Sequence, residues 1–381
     1  MRSHAGRVVA LATLVALSSL VSSAAALLQI QDTKHWFAFG DSWTADGFNA
    51  TQGFDATQQS LRTSAGGKTW LDEITFSSTF PQLNAAHYNF AVGGSTVWPE
   101  ARAAGFPNVS FPDQIGWFVK NVSEGAEDKP EWQSDSSLFS VFFGINDINL
   151  QNFQGSSIDE VLDATFEAYD QSMSTLYSHG ARNFLLLNVP YFNRAPLSEL
   201  LATAVPGLLP PVNASIAMWN KRLEDYAGEL PNKYPGAEVE VYDIASWLDE
   251  TLDKIEATNT LIYDDWCDAY RVVSHSYLPD VPEDLNVPSC RAPLKQYVWI
   301  DGSHPSWTIH RLLAYDIVRA LSSSVHHSSF IRRSAHLSPI LAHRRLQGHG
   351  TRLVGHGRGQ ARLTRTTVKG RSVPQGLPLY G

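Results

Sequence analysis

The sequence predicts an α/β fold, a single three-layer α/β/α sandwich around a mostly parallel five-stranded sheet. Between residues 35 and 321, short apolar runs alternate with longer stretches whose apolar residues recur every three or four positions, as expected for strands alternating with amphipathic helices. The chain has 381 residues, of which 43% are hydrophobic and 11% aromatic, so it can bury a sizeable core. Parallel strands need crossover connections, and this alternation therefore favours one domain with helices flanking the sheet.

Five apolar runs are predicted to form the strands: 36–39, 88–92, 138–143, 184–189 and 239–242. Helices are predicted from apolar stripes that begin at Ile115, Leu162, Ile216, Trp247 and Leu312. The clearest helix starts at Ser157, with Glu160 placed for a capping box, and stops at Gly180. Segments 189–211 and 263–293 contain several prolines and are predicted to be long excursions at the edge of the sheet.

The two ends of the chain differ from this body. Residues 1–26 have basic residues at Arg2 and Arg7, then an apolar run, then small residues, which together are typical of a secretory signal peptide. The run is short for a membrane span, so we expect a secreted, extracellular protein without stable membrane insertion; a retained anchor is the alternative. The predicted domain occupies residues 27–323.

Residues 324–381 contain ten Lys or Arg, six His and no Asp or Glu. They lack a sustained apolar period and are predicted to be a disordered basic tail. An arm for anionic surfaces and a mispredicted gene end are the alternatives. All 38 Asp and Glu therefore fall in the body of the chain, whose acidic surface disfavours nucleic acid and acidic polymers as partners.

Two further features are consistent with secretion. The only cysteines, Cys267 and Cys290, are predicted to form a disulfide that stabilises the fold by about 3 kcal/mol, with two free buried thiols as the alternative. No further ligands stand near them at a metal-binding spacing, and neither a metal nor a cofactor is expected. Asn-x-Ser/Thr triplets mark four candidate glycosylation sites, at Asn49, Asn108, Asn121 and Asn213.

Ser42 follows the first predicted strand in a Gly-Asp-Ser sequence. A serine in that position stands at the carboxyl edge of the sheet, where open α/β sheets bind ligands. Its simplest interpretation alone is a helix cap. Asp301 and His304 follow a later apolar run in one tight turn, where an Asp can accept the imidazole Nδ1–H and leave Nε2 free to take a proton from a serine. A capping Asp beside an incidental His is the alternative.

Two more loops follow predicted strands. Gly94 lies in a glycine pair that lets backbone N–H groups approach a ligand, and Asn146 carries an amide that can donate a hydrogen bond. A tetrahedral oxyanion needs such donors, and loss of one typically costs about 2.7 to 4 kcal/mol of transition-state stabilisation. Taken singly, these residues read as a turn glycine and a capping Asn.

Together the four pieces resemble the blocks of the SGNH hydrolases, also called GDSL esterases, over roughly residues 35 to 321. The blocks are Phe39-Gly40-Asp41-Ser42, Gly94 within 89–96, Gly144-x-Asn146-Asp147 and Asp301-x-x-His304. The resemblance implies a flavodoxin-like fold in which Ser42 is the nucleophile, His304 the base and Asp301 its orienter. It also implies an oxyanion hole made by the N–H groups of Ser42 and Gly94 and by the Asn146 amide.

The longer motifs are similar to those of the fungal secreted acetylesterases of carbohydrate esterase family sixteen. This similarity implies an acetylated oligosaccharide or small ester as substrate, and we expect a monomer. Trp43 stands where Tyr is expected, and Ser303 stands where a larger apolar residue is common, so these departures bear on the pocket wall. Trp43 and Trp98 adjoin the motif blocks and are predicted either to line a sugar platform or to belong to the core.

Two other functions remain open at this point. A GDSL lipase would act on longer acyl esters, and a non-catalytic carbohydrate-binding relative would keep the fold without the activity.

The motifs of two other protein classes are incomplete. Gly66-Gly67-Lys68-Thr69 lacks the earlier glycine of a phosphate-binding loop, and no Gly-x-Ser-x-Gly elbow of an ordinary α/β-hydrolase occurs.

Overall fold

The structure is a computed structural model that describes residues 27–49, 63–76, 78–81, 83, 85–99, 109–122, 129–148, 158–270 and 282–322, together with 367–368 and 371–372. The predicted signal segment, the helix cap at Ser157 and the glycosylation candidate Asn108 lie outside these residues. So does most of the predicted tail, in which β6 (Thr367–Val368) and β7 (Arg371–Ser372) form a short antiparallel pair.

A five-stranded sheet forms the centre of the molecule and confirms the predicted α/β sandwich. Its strands are β1 (His35–Gly40), β2 (Ala86–Asn89), β3 (Ser137–Phe142), β4 (Asn183–Leu187) and β5 (Glu238–Tyr242). They lie in the order β2-β1-β3-β4-β5, and all four pairings are parallel. This is the flavodoxin-like strand order, in which the chain changes direction between β1 and β3.

The second strand lies earlier than the predicted run 88–92. It spans Ala86–Asn89, because the glycines that follow turn the chain away from the sheet. Even so, Phe90 N–H and Val92 N–H still donate to the carbonyls of Ala38 and Gly40 in β1. The apolar pattern therefore predicted which residues hydrogen-bond to β1, but it did not predict the residue at which regular strand geometry ends.

Helices flank the sheet on both faces. They are α1 (Trp70–Thr75), α2 (Phe111–Val122), α3 (Ile158–Ser178), α4 (Pro196–Ala204), α5 (Leu209–Lys233), α6 (Ile244–Thr258) and α7 (Trp307–Ser322). Helix α1 contacts α7, whereas α2 contacts α3 and α3 contacts α5. Because crossovers are right-handed, the reversal of strand order at β1 puts these two groups on opposite faces.

Two of these helices were not predicted. Helix α1 has only six residues and begins at Thr69, whose side chain forms a capping box with Asp72, so the Gly-Gly-Lys-Thr sequence is a helix start. Helix α4 lies inside the predicted excursion 189–211 and begins at Pro196, a residue suited to a first turn. Both are too short to show a clear apolar period.

The core is dominated by aromatic side chains of the central strands. Trp36, Phe37 and Phe39 of β1 are fully buried, as are Phe139 and Phe142 of β3. β1 and β3 are covered on both sides, which explains why they read as continuous apolar runs rather than as alternating ones. A rigid, dry layer of this kind fixes the ends of the strands, where the candidate site lies.

A smaller apolar cluster lies beside the main core and includes Tyr270, Tyr297 and Trp307. Cys267 and Cys290 are joined by a disulfide at its edge, with their Cα atoms 5.7 Å apart. Arg311 of α7 donates to the buried carboxylate of Glu73 in α1, which links the last helix to the first. Among the described residues, no helix has the length and apolar character needed to cross a membrane.

Candidate active site

The loop after β1 presents Ser42 at the carboxyl end of the sheet. Asp41 holds this turn together, because its Oδ1 accepts from Trp43 N–H and its carbonyl accepts from Thr44 N–H and Ala45 N–H. Ser64 Oγ donates to the Ser42 carbonyl at 2.6 Å. The backbone around Ser42 is therefore held by contacts before and after it, and none of them uses its hydroxyl.

His304 and Asp301 lie in a tight turn that precedes α7. The turn is closed by Ile300 N–H, which donates to the His304 carbonyl, and Leu197 N–H in the first turn of α4 donates to the Gly302 carbonyl. Asp301 Oδ1 accepts from the backbone N–H groups of Ser303 and His304, at 2.8 and 2.7 Å. Its other oxygen, Oδ2, lies 2.8 Å from His304 Nδ1.

Ser42 and His304 meet although 262 positions separate them in the chain. His304 Nε2 lies 2.9 Å from Ser42 Oγ, so serine, imidazole and carboxylate form one continuous line of hydrogen bonds. All three side chains are buried. With Nδ1–H donated to Asp301, Nε2 carries the lone pair that can accept the serine proton.

The loop after β2 lies beside the serine. A Cβ atom at Gly93 would sit 3.7 Å from the Ser42 Cβ, and Gly94 has φ +77°, a conformation that side-chain-bearing residues rarely adopt. Ser95 N–H donates to the Val92 carbonyl and closes this turn. Within the part of the chain that the structure describes, the N–H groups of Ser42 and Gly94 donate to no acceptor.

The loop after β3 places Asn146 opposite this turn. Gly144 starts it with φ +122°, and a Cβ there would come within 2.4 Å of the Trp219 ring, so only glycine fits. Asn146 Nδ2 donates to the Ser95 carbonyl at 2.9 Å. An amide nitrogen carries two hydrogens, and the second is left for another acceptor.

A small depression lies over these groups. It is lined by Ser42, Trp43, Ile145, Asn146, Phe192, Ser303 and His304. Trp43 contributes to its wall but is itself 4% exposed and packs edge-on against Phe142. Trp98 is half-buried in the loop after β2 and is not one of the lining residues. The structure thus brings Trp43, but not Trp98, next to Ser42.

Two supporting residues have contacts that were not predicted from the sequence: Gln114, which was not singled out, and Asp147, which was quoted only as part of a motif block. Gln114 of α2 accepts from Gly40 N–H and donates to the Gly40 carbonyl and to Ser95 Oγ, which ties the end of β1 to the loop after β2. Asp147 Oδ1 accepts from Val97 N–H and Trp98 N–H. Gln114 lies four positions before Phe118, on the buried face of an amphipathic helix. A polar residue on that face is the sequence feature that could have indicated its supporting role.

Burial and charge set the ionisation of the three central groups. Burial raises the pKa of Asp301, but the adjacent His304 and its hydrogen bonds reverse this effect and hold the pKa at about 2. Burial lowers the pKa of His304, but the Asp301 carboxylate outweighs it and leaves the pKa above its ordinary value of 6.5. Asp301 therefore remains a carboxylate at neutral pH, and His304 keeps its proton to a higher pH than an isolated imidazole does.

A further carboxyl lies directly under the serine. Burial raises the pKa of Asp41 to about 7, against the opposing influence of its bond from Trp43 N–H and of nearby His304. The ring of His310 is also buried, which lowers its pKa to about 3, and its Nδ1 accepts from Trp70 N–H. His310 therefore stays neutral behind Trp43, and His304 is the imidazole that can change charge beside Ser42.

The glycosylation candidates differ in their surroundings. Asn49 is exposed in the loop after β1, whereas Asn121 and Asn213 are half-buried on α2 and α5. The Asn121 amide donates to the Trp117 carbonyl within its own helix.

This sheet, with a serine, an imidazole and a carboxylate aligned at its carboxyl edge, is an arrangement suited to ester hydrolysis. The family model for GDSL-like Lipase/Acylhydrolase matches residues 37–317, and the chain belongs to that family. It is a carboxylic ester hydrolase of the SGNH type, most like fungal acetylesterases.

Proteins similar to this chain occur among curated sequences and among solved structures. An acetylesterase of Thermothelomyces thermophilus is 26% identical over 303 residues, which cover 77% of this chain and 89% of that protein. An acetylesterase of Hypocrea jecorina is 21% identical over 343 residues, with 76% and 89% covered. Among solved structures, the acetylxylan esterase Axe2 of Geobacillus stearothermophilus is similar over 79% of this chain and 100% of its own, with 15% identity and a TM-score of 0.42.

Proposed function

We propose that the protein is a secreted serine esterase that removes acetyl groups from hemicellulose-type oligosaccharides through Ser42, His304 and Asp301. The observation that carries the proposal is the line of hydrogen bonds from Ser42 Oγ through His304 to Asp301, with distances of 2.9 and 2.8 Å. Hydrogen-bond contact between nucleophile and base, with the base oriented by a third group, is the arrangement that activates a serine.

The proposed reaction proceeds through an acyl-enzyme. Ser42 Oγ attacks the ester carbonyl carbon while its proton passes to His304 Nε2, and His304 then protonates the departing sugar oxygen as the C–O bond breaks. Water next attacks the acetyl-serine, giving its proton to His304, and acetate leaves as the Ser42 hydroxyl is restored. Asp301 keeps Nδ1–H in place throughout and stabilises the imidazolium that forms.

The negative charge on the former carbonyl oxygen is proposed to be held by three donors. Two are the N–H groups of Ser42 and Gly94, which have no acceptor among the described residues. The third is the second hydrogen of the Asn146 amide, whose first is donated to the Ser95 carbonyl. Because these donors are positioned before the reaction, they need little reorganisation as the charge develops.

A short acyl group is favoured over a long one by the shape of the depression at Ser42. Trp43, Ile145 and Phe192 close it with rigid apolar walls. An acetyl methyl group is small enough for such a space. Secretion is supported by the signal-like residues 1–26 and by the Cys267–Cys290 disulfide.

We expect turnover of p-nitrophenyl acetate to exceed that of the octanoate ester, and acetylated xylo-oligosaccharides to release acetate. The test uses enzyme isolated from the culture fluid of a secreting host, whose amino terminus is expected at Leu27. A preference for octanoate would replace the acetylesterase proposal with a lipase. Absence of turnover, with no labelling of Ser42 by a fluorophosphonate, would favour a non-catalytic relative. Material retained on membranes with residues 1–26 intact would contradict secretion.

The pH dependence follows from the role of His304 as a base. The base must be neutral to accept the serine proton, and its pKa lies above 6.5 because of Asp301. We therefore expect kcat/KM to fall as the pH drops, with the midpoint of this acidic limb above pH 6.5, since kcat/KM reports the free enzyme. A midpoint below pH 6, in a protein whose circular dichroism shows it still folded, would contradict the assignment.

A further inference from the structure

A second cluster of ionisable side chains lies beneath the loop that carries Ser42. Asp46 comes from that loop, Asp72 from the first turn of α1 and His87 from β2, and each is at most 3% exposed. Asp46 Oδ2 lies 3.0 Å from His87 Nε2, and Asp72 Oδ1 lies 3.8 Å from the same nitrogen. The three atoms are all within 4.8 Å of one another.

The other ring nitrogen of His87 has a neighbour of its own. Thr75 Oγ1 lies within hydrogen-bond distance of His87 Nδ1 and 2.8 Å from the Leu71 carbonyl. His87 Nε2 faces two carboxylates. A bare lone pair in that position would repel both of them, so Nε2 carries either a hydrogen or a metal ion.

A proton alone leaves this arrangement incomplete. An imidazolium would pair with Asp46 at 3.0 Å, but Asp72 Oδ1 would remain too distant for a hydrogen bond, and it has no other partner in the part of the chain that the structure describes. A metal ion placed between the three atoms would give Asp72 Oδ1 a partner as well.

We propose that Asp46 Oδ2, Asp72 Oδ1 and His87 Nε2 bind a divalent cation of the zinc type. Zinc takes imidazole nitrogen and carboxylate oxygen at about 2.0 to 2.2 Å, which in a tetrahedral site puts ligand atoms about 3.3 to 3.5 Å apart. The observed separations of 3.0 and 3.8 Å lie on either side of that range. Only small shifts of side chains are needed to close the three ligands around one ion.

The outer hydrogen bonds also suit a metal site, because each ligand is oriented by a partner on its other atom. Asp46 Oδ1 accepts from Phe48 N–H, Asp72 Oδ2 accepts from Thr69 N–H and Thr69 Oγ1, and His87 Nδ1 lies within hydrogen-bond distance of Thr75 Oγ1. Such second contacts fix the direction of metal ligands. The ion would join β2 and α1 to the loop that begins at Ser42, and so has a structural role.

The test measures metal content and thermal stability of the full chain. Protein produced with zinc and dialysed against a chelator is expected to retain about one zinc ion per chain by mass spectrometry of the metal. Asp72→Asn keeps the shape and the bonds from Thr69, but its Nδ2 would face His87 Nε2, and this variant is expected to lose that ion. His87→Gln is expected to lose it as well. The matched controls Asp249→Asn and His179→Gln are expected to retain it.

Unfolding in denaturant with chelator, followed by refolding with and without zinc, gives an independent readout. We expect zinc to raise the melting temperature of the wild type and both controls by several degrees, and to leave Asp72→Asn unchanged. Equal zinc content in the wild type and Asp72→Asn would assign the ion to other groups, such as the six histidines of residues 324–381, and would overturn the proposal. A wild type without zinc, with one melting temperature in both conditions, would overturn it too.

Discussion

Replacing Ser42 with alanine is expected to lower kcat with p-nitrophenyl acetate by about 10⁶-fold while the protein stays folded. The hydroxyl is the only group of the site that is proposed to form a bond to the substrate. Its removal leaves the Ser42 N–H, the turn held by Asp41 and the Ser64 contact in place, since none of these involves the Ser42 side chain. The residual rate should therefore still exceed that in water, through the remaining oxyanion donors.

Two comparisons make this expectation specific. Ser178→Ala removes an exposed hydroxyl that donates within α3, and it should leave turnover unchanged. The double variant Ser42→Ala, His304→Ala should be no slower than Ser42→Ala alone, because the two groups act on the same step. Equal activities of wild type and folded Ser42→Ala would remove Ser42 from the mechanism.

The variant Asp301→Asn is expected to lose about 10⁴-fold in kcat, although it changes only one oxygen to an amide nitrogen. Asp301 Oδ1 accepts two backbone N–H groups, at 2.8 and 2.7 Å, so the asparagine must keep its oxygen there. Its amide nitrogen then faces His304 Nδ1, which becomes an acceptor. The imidazole proton moves to Nε2, and the ring can no longer accept from Ser42 Oγ.

The tautomer gives this second prediction a direct readout. In the wild type, the Nδ1 proton of His304 is held by a carboxylate and should give a low-field proton resonance, which Asp301→Asn should lose. Asp163→Asn changes an exposed carboxylate of α3 and serves as the control for charge. Wild-type turnover by a folded Asp301→Asn would show that Asp301 does not orient the base.

The sequence predicted the parts of this molecule that depend on neighbouring residues. Apolar runs located all five strands, and the tight turn of Asp301 and His304 was visible from a spacing of three. Contacts between distant segments were not visible. Gln114 looked like one polar residue in a helix, and only the fold brings it to Gly40, which lies 74 positions earlier in the chain.

The same limit applies to Asp46, Asp72 and His87. Each of them stands in an unremarkable local sequence, and no spacing rule joins a loop, a helix start and a strand. The short helices α1 and α4 were not predicted for a different reason. One or two turns are too short to show an apolar period, and only the cap at Thr69 and the proline at Pro196 indicate where these helices start.

The separation of 262 positions between Ser42 and His304 also bears on the synthesis of the protein. The serine emerges from the ribosome early, whereas the imidazole proposed to activate it comes from the last turn before α7. Helix α7 must then reach α1, which it does through Arg311 and Glu73. A growing chain, or one cut short before residue 304, would therefore be catalytically silent, and esterase activity would report that the whole domain has been made and closed.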